Sequence, residues 1–327
     1  MWKEIEAAPA DAILGLTEAF KKDANPNKVN LGVGVFKDDT GATPILKCVK
    51  AAEVKLAETE TTKGYLPISG SPAYAANVQK LLFGADSEVI ASGRAATCHT
   101  PGGTGALRVG ADLLKKFSPD AKLWVSTPTW ANHKGIFSAA GFQINDYPYY
   151  DPATRDVDFA SLLAALENVP AGDIVLLHVC CHNPTGVDLI GDQWDQVIAI
   201  AKAKGWTPFL DFAYQGFGDS IEEDRAAVEK FAAAGIDFLV ASSFSKNFGL
   251  YNERTGALSI VSPSAAEAAV AMSHAKTTIR VNYSNPPAHG GLAASAVLDD
   301  AALYDQWIGE VAEMRDRIKA MRSALVD

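Results

Sequence analysis

The sequence predicts an α/β fold in which buried strands deliver polar segments to one ligand-bearing edge. Three observations carry this. Asp173 to Cys181 (DIVLLHVCC) is a continuous apolar run, as expected of a central parallel strand covered on both faces. It ends in His182-Asn183-Pro184-Thr185-Gly186, and open α/β sheets bind ligands beyond the carboxyl ends of their strands. Phe238 to Ala241 repeats the arrangement, running straight into the polar stretch Ser242 to Gly256. With 327 residues, 48% of them hydrophobic, the chain has material for one large domain and part of another.

Composition narrows the function classes. A formal charge of -10 argues against a nucleic-acid or anionic-membrane surface, both of which need clustered Lys and Arg. The 4 cysteines include the adjacent Cys180 and Cys181 but no CxxC pair, so they read as reduced core residues. The N-terminus is acidic early and lacks the apolar core of a signal peptide, and no stretch approaches the ~18 apolar residues of a membrane span. A cytoplasmic setting is the expectation.

In chain order, residues 1–14 read as an extended arm of the kind that packs on a partner subunit. Leu16 to Lys22 is a short amphipathic helix stopped by Asn25-Pro26-Asn27. Val29 to Phe36 reads as a strand carrying Gly32 and Gly34. A dinucleotide site is excluded there, because a third glycine is missing and a turn follows. Gly34 is then a strand bulge or a point of close backbone approach. Pro44 to Thr61 gives a helix, and the loop Lys63 to Gly70 carries Tyr65. Ala95 to Thr100 reads as a strand, Pro101 to Gly105 as a turn, and Ala106 to Phe117 as a helix. Free N–H groups and a positive dipole end at that helix start make Gly103 and Thr104 candidates for a phosphate cradle, or merely a strand-to-helix turn. No Walker lysine accompanies it, which argues against a nucleoside triphosphate.

Leu123 to Ser126 is a strand that leads to Trp130, whose flat face suits offset stacking on an aromatic ring. His133 is a hydrogen-bonding partner behind the site or a core histidine. Asn183 offers an amide donor or an Asx turn before Pro184. Trp194 to Lys204 is a helix and Pro208 to Leu210 a strand. Beyond that strand Asp211 is a helix cap or a carboxylate for a protonated ring nitrogen, with Tyr214 on the same edge. Lys246 follows the apolar run Phe238 to Ala241. Burial or a neighbouring cation lowers a lysine below its usual ~10.4, and the neutral amine forms a Schiff base with a carbonyl. Arg254 supplies such a cation and, with the Ser243 and Ser245 hydroxyls, suits a phosphate. A strand-end lysine snorkelling to solvent is the alternative.

Ala257 to Val261 is a further strand and Pro263 to Ile279 a helix, after which Arg280 is a helix-capping cation or a carboxylate ligand. Ala301 to Leu325 reads as a long helix with Leu303, Trp307, Val311, Met314, Ile318, Met321 and Leu325 as a core stripe. Its charged residues, Glu310 and Arg315 among them, read as solvated surface.

The segment SSFSKNFGLYNERTG resembles the cofactor-lysine segment of class I pyridoxal-phosphate aminotransferases, in their aspartate and aromatic branch. TPGGTGALR, TPTWANH, CCHNPTG, DFAYQGF and NYSNPPAHG recur in one order, so the resemblance spans nearly the whole chain. It implies the fold type I of pyridoxal-phosphate transferases, a mostly parallel seven-stranded sheet between helices. The implied domains are an arm (1–14), the N-terminal part of a small domain (15–45), a large cofactor domain (46–300) and a helix (301–327). That helix leads to an absent C-terminal segment, leaving the small domain incomplete and no residue here matching the family's α-carboxylate arginine. The resemblance implies pyridoxal phosphate on Lys246, held by Gly103, Thr104, Trp130, Asn183, Asp211, Tyr214, Ser243, Ser245 and Arg254. It also implies a homodimer with shared active sites: Tyr65 reaches the neighbouring subunit's cofactor phosphate, and Arg280 the side-chain carboxylate of a dicarboxylic substrate. Gly34, Trp130 and Asn183 complete the implied substrate contacts. The implied reaction is transamination between aspartate and 2-oxoglutarate, giving oxaloacetate and glutamate. An aromatic amino acid aminotransferase of the same branch, or a cofactor-binding chain with little or no turnover, remains open.

Overall fold

The computed structural model describes residues 3, 5, 6, 14–30, 32 and 34–326, which fall into two compact units, Met1–Pro44 and Ile45–Asp327. The expected arm over 1–14 lies almost wholly outside the described residues. In the first unit α1 (Leu14–Lys22) is closed by Lys28, whose Nζ donates to the Phe20 and Asp23 carbonyls at 2.6 Å each. The strand expected over 29–36 is absent among the described residues. Local side-chain bonds take the place of a ladder: Asn30 Oδ1 accepts from Gly32 N at 2.9 Å, and Asp38 Oδ1 accepts from Thr40 N at 2.9 Å.

The second unit opens with α2 (Lys47–Thr59), α3 (Pro72–Phe83) and the single turn α4 (Glu88–Ala91), followed by β1 (Ala95–Pro101) and α5 (Gly102–Phe117). Next come β2 (Leu123–Thr127), α6 (Ala131–Ala139), β3 (Ile144–Pro148), the paired short strands β4 (Tyr150–Asp151) and β5 (Asp156–Val157), and α7 (Phe159–Leu166). The chain continues through β6 (Ile174–His178), α8 (Gly191–Lys204), β7 (Thr207–Phe212), α9 (Ala226–Ala233), β8 (Phe238–Ser243) and β9 (Thr255–Val261). It closes with α10 (Ala265–Asn282), α11 (His289–Leu298) and α12 (Ala301–Val326).

Seven strands form one sheet in the order β1-β9-β8-β7-β6-β2-β3. β8, β7, β6, β2 and β3 pair in parallel, while β9 runs antiparallel to both its neighbours. Every residue of β8 and β9 is buried, the consequence of apolar cover on both faces. One face packs Leu107 and Val109 of α5, Phe137 of α6 and Ile279 of α10 against Leu123, Ile174, Phe209 and Leu258. On the other, Trp194 of α8 and Phe231 of α9 meet edge to face at 6.0 Å, with Phe238 of β8 beyond at 5.7 Å from Phe231. Truncating a fully buried aromatic such as Phe209 in such a layer costs ~3–5 kcal/mol.

Several boundaries differ from expectation for local reasons. β6 stops at His178 rather than Cys181, because Cys181 takes φ 50° and the Cys181 and His182 amides both turn onto the Asp188 carboxylate, at 2.7 and 2.8 Å. α5 begins at Gly102, so Gly103 and Thr104 lie in its first turn. Asp211 lies within β7, and Arg280 lies in the last turn of α10 rather than after it. The stripe on α12 is buried only at Trp307, Val311 and Met314; Met321 and Leu325 are exposed. Glu310, expected on the solvated face, instead accepts from the Lys47 and Cys48 amides at 3.0 and 3.3 Å, capping α2. No described helix is long and apolar enough to cross a membrane.

Candidate active site

The reversed direction of β9 assembles the site. Ser243 at the end of β8 and Thr100 near the end of β1 both lie opposite Gly256, so Arg254, just before β9, arrives at the edge where the parallel strands end. His178 and Asp211 are register partners on β6 and β7 at that same edge.

An anion site occupies one side. No side chain caps the start of α5, so its first amides are left to a ligand. Gly102 sits at φ 73°, and a Cβ there would stand 2.4 Å from Arg254 Nη2. A Cβ on Gly103 would stand 3.1 Å from Ser243 Cβ. Helix start, guanidinium and serines thus face one another across space that only glycine leaves open. Ser243 and Ser245 are buried, Ser243 Oγ accepting from Ser245 N at 3.3 Å, and Arg254 Nη1 donates to Tyr251 O at 2.9 Å.

Asp211 anchors the other side. His133 Nε2 donates to Asp211 Oδ2 at 2.9 Å, and both groups are buried. Burial alone would raise this carboxyl, but the hydrogen bond and charge of His133, with His178 and Lys246, outweigh it and hold Asp211 below the usual carboxylate range. Donor logic orders the rest. His133 Nε2 carries the proton shared with Asp211, and its Nδ1 lies 2.8 Å from Thr129 Oγ1. Thr129 in turn accepts from His178 Nε2 at 3.3 Å, and His178 Nδ1 faces the Asn183 amide at 3.4 Å. Burial pushes His178 well below the ordinary histidine range, which keeps this neutral tautomer. His182 stacks on Tyr149 at 3.9 Å and bonds to Ser126 and Thr185, its pKa pushed down by burial to about 4.

Lys246 stands between these sides. Its Nζ lies 4.5 Å above the Tyr214 ring. Burial lowers the amine's pKa, Asp211 opposes the shift and Arg254 reinforces it, so the net direction favours a free amine. Tyr214 is itself pushed up to about 12 by burial and by Asp211, a hydrogen bond with Asn183 drawing the other way. The residues after the lysine are pinned. Trp307 of α12 donates Nε1 to Asn247 O at 2.7 Å and stacks on Phe248 at 4.5 Å, while Asn247 Nδ2 donates to Gln215 O at 3.1 Å.

The structure therefore brings together Gly103, Thr104, Trp130, Asn183, Asp211, Tyr214, Ser243, Ser245, Lys246 and Arg254 at one sheet edge; Trp130 meets His133 edge to face at 5.2 Å. Tyr65 and Arg280 stand apart from this network: Tyr65 is 95% exposed, and Arg280, also exposed, bonds to Ser284. Gly34 is exposed within the first unit. Sequence reasoning missed the roles of Thr129, His178 and His182. The signal available was two histidines inside and just after the otherwise apolar run of β6.

The donor set fits pyridoxal phosphate: a cradle that a Cβ would fill for its phosphate, an ionised carboxylate for its ring nitrogen, phenol and amide donors for its phenolate oxygen, and a buried lysine, its pKa lowered by that burial, for its aldehyde. Comparison with known proteins points the same way. The profile of the family Aminotransferase class I and II matches residues 26–327. The chain is 54% identical over 327 residues to an aspartate aminotransferase of Pseudomonas aeruginosa, covering 100% of this chain and 82% of the relative. It is 50% identical over 327 residues to an aromatic-amino-acid aminotransferase of Escherichia coli, covering 100% and 82%. The crystal structure of an aromatic-amino-acid aminotransferase from Burkholderia pseudomallei, covalently bound to pyridoxal phosphate, superposes with TM-score 0.97 at 54% identity, covering 100% of this chain and 82% of that one. A psychrophilic aromatic amino acid aminotransferase from Psychrobacter sp. B6, cocrystallised with aspartic acid, gives TM-score 0.97 at 46% identity, covering 99% and 82%.

Proposed function

The chain belongs to the class I and II aminotransferases and is a pyridoxal-phosphate-dependent enzyme, and on that premise we propose that it moves an amino group between aspartate and 2-oxoglutarate. The observation that carries the chemistry is the buried Lys246 amine, set between the Asp211 carboxylate and the Arg254 guanidinium.

When bound, pyridoxal phosphate supplies an aldehyde that condenses with primary amines and a ring that withdraws electrons from the carbon bearing the amino group. Lys246 would hold the cofactor through its amine and, with that amine free, would carry the substrate's α-proton as general base and acid; its lowered pKa favours the proton-accepting form. Asp211, kept ionised by His133, would hold a proton on the ring nitrogen. Tyr214 and Asn183 would hold the phenolate oxygen, and Trp130 would offer its flat face to the ring. Gly103, Thr104, Ser243, Ser245 and Arg254 would hold the phosphate.

Tyr65 and Arg280 are assigned to the site of a second copy in a homodimer. Two features support this: Val281, beside Arg280, is 87% exposed, and an open groove of about 700 Å³ between α5 and α10 is lined by Arg108, Asp112, Thr278 and Val281. There Arg280 takes the side-chain carboxylate of the dicarboxylic substrate, a pairing suited to its planar fork.

The relatives named for aromatic amino acids favour a second reading, with tyrosine or phenylalanine as the preferred donor. Absorbance of the holoenzyme decides. Aspartate is expected to convert the aldehyde form of the cofactor to its amine form with the higher kcat/KM, and 2-oxoglutarate to restore it. Faster conversion by tyrosine supports the second reading; conversion by neither marks a cofactor-binding chain without turnover.

A further inference from the structure

His99 takes no part in the bonded chain around Asp211, yet it is 1% exposed with neither ring nitrogen hydrogen-bonded. It lies within β1, and four segments close on it. A Cβ on Gly70, at φ 85°, would stand 2.4 Å from His99 Cβ, and His99 N donates to Ser69 O at 2.9 Å. A Cβ on Gly291, in the first turn of α11, would meet the ring Cε1 at 2.5 Å. Tyr74 of α3 lies ring to ring at 4.3 Å, and Tyr283, just past α10, donates its hydroxyl to His99 O at 3.3 Å.

Two of these segments carry the residues assigned to the second copy. Tyr65 lies five residues before Gly70, and Arg280 three before Tyr283. Asn285 Nδ2 donates to Leu66 O at 3.1 Å, so the two loops also touch each other. Glycine backbone on two sides leaves the imidazole no room to shift without moving a loop or α11. A flat five-membered ring fits that gap, where the six-membered ring of a phenylalanine or tyrosine carries more volume.

We propose that His99 is a positioning residue that keys the Tyr65 loop to the Arg280–Pro287 connection, holding both in one register for a second copy of the chain. This rests on the shared-site assignment of Tyr65 and Arg280 made above. The test is amide hydrogen exchange, read by mass spectrometry on holoenzyme, for the wild type, His99→Ala and Tyr283→Phe. In His99→Ala the segments 62–70 and 283–288 are expected to exchange together roughly tenfold faster or more, with β6 and β7 unchanged. The aspartate-to-tyrosine ratio of kcat/KM is expected to fall with them, through KM for aspartate more than through kcat. Quickening of only one loop, of neither, or of β6 and β7 equally overturns the proposal. Should His99→Ala fail to fold, Tyr283→Phe decides: both loops quicken if they are keyed, and an unchanged 62–70 overturns the idea. A wild type that ignores aspartate would overturn the substrate assignment alone, because the exchange pattern is measured without substrate.

Discussion

Replacing Gly102 by alanine tests the anion site with the least disturbance elsewhere. The new methyl group would start 2.4 Å from Arg254 Nη2 and 3.0 Å from its Cζ, and the flexible guanidinium yields more readily than the backbone. Arg254 therefore leaves the cradle. A hydrogen bond to a charged group contributes ~1.5–3 kcal/mol, so the affinity for a phosphate ester falls about ten- to a hundredfold. Separately, φ 73° costs a residue with a Cβ ~1–2 kcal/mol in the folded protein, which urea unfolding of the apoprotein reads independently. The assay is titration of apoprotein with pyridoxal phosphate and with phosphate-free pyridoxal, following quenching of tryptophan fluorescence. Affinity for the phosphorylated compound should drop while that for pyridoxal holds. An equal drop for both, or none for either, would refute a phosphate site at Gly102 and Arg254.

Three further outcomes are expected. His99 is held neutral by burial, its pKa lowered from 6.5 to about 4, with the Tyr74 ring against it and the Tyr283 hydroxyl on its carbonyl oxygen. The unfolded chain therefore binds the extra proton first as pH falls below the ordinary value. The histidine's share of stability, whole above that value, shrinks as pH drops toward the folded one, by about 2 kcal/mol between pH ~7.5 and ~5. His99→Gln should lose that much less than wild type in urea unfolding at the two pH values, and identical losses would contradict it. Asp211→Asn removes the charge that raises the Lys246 pKa, so the amine should titrate lower still; the pH dependence of Lys246 acetylation in apoprotein, resolved by peptide mass, would show a rise or no change if this is wrong. Trp307→Ala deletes the indole bond to Asn247 and the stack on Phe248. It should destabilise the protein by ~3–5 kcal/mol and quicken exchange around Lys246, and retained protection there would rule out the clamp.

Strand cores and the ligand-bearing edge were legible in the sequence because apolar runs such as Phe238 to Ala241 leave a single buried solution, and motif residues sit where those runs end. Boundaries were less legible where side chains compete with the backbone ladder. The Asp188 carboxylate turns Cys181 and His182 off β6, and Asn30 draws the Gly32 amide into a local turn where a strand was expected. The site's donors were readable as residue types. Their bonded order was not, because the chain from Asp211 through His133 and Thr129 to His178 joins positions on three separate segments. His99 gave no sequence signal at all: its setting is made by two glycines, one on a distant loop and one on α11.

The single reversed strand has a mechanical corollary. Lys246 rides on a segment moored at both ends to the rigid sheet, Ser243 of β8 opposite Gly256 of β9 on one side and Thr255 of β9 opposite Pro101 of β1 on the other. Opening the chain anywhere between those moorings, as a circular permutation would, should leave the sheet paired but let the amine swing free of Asp211 and Arg254. The same cut placed between α7 and β6 should leave the lysine where it is.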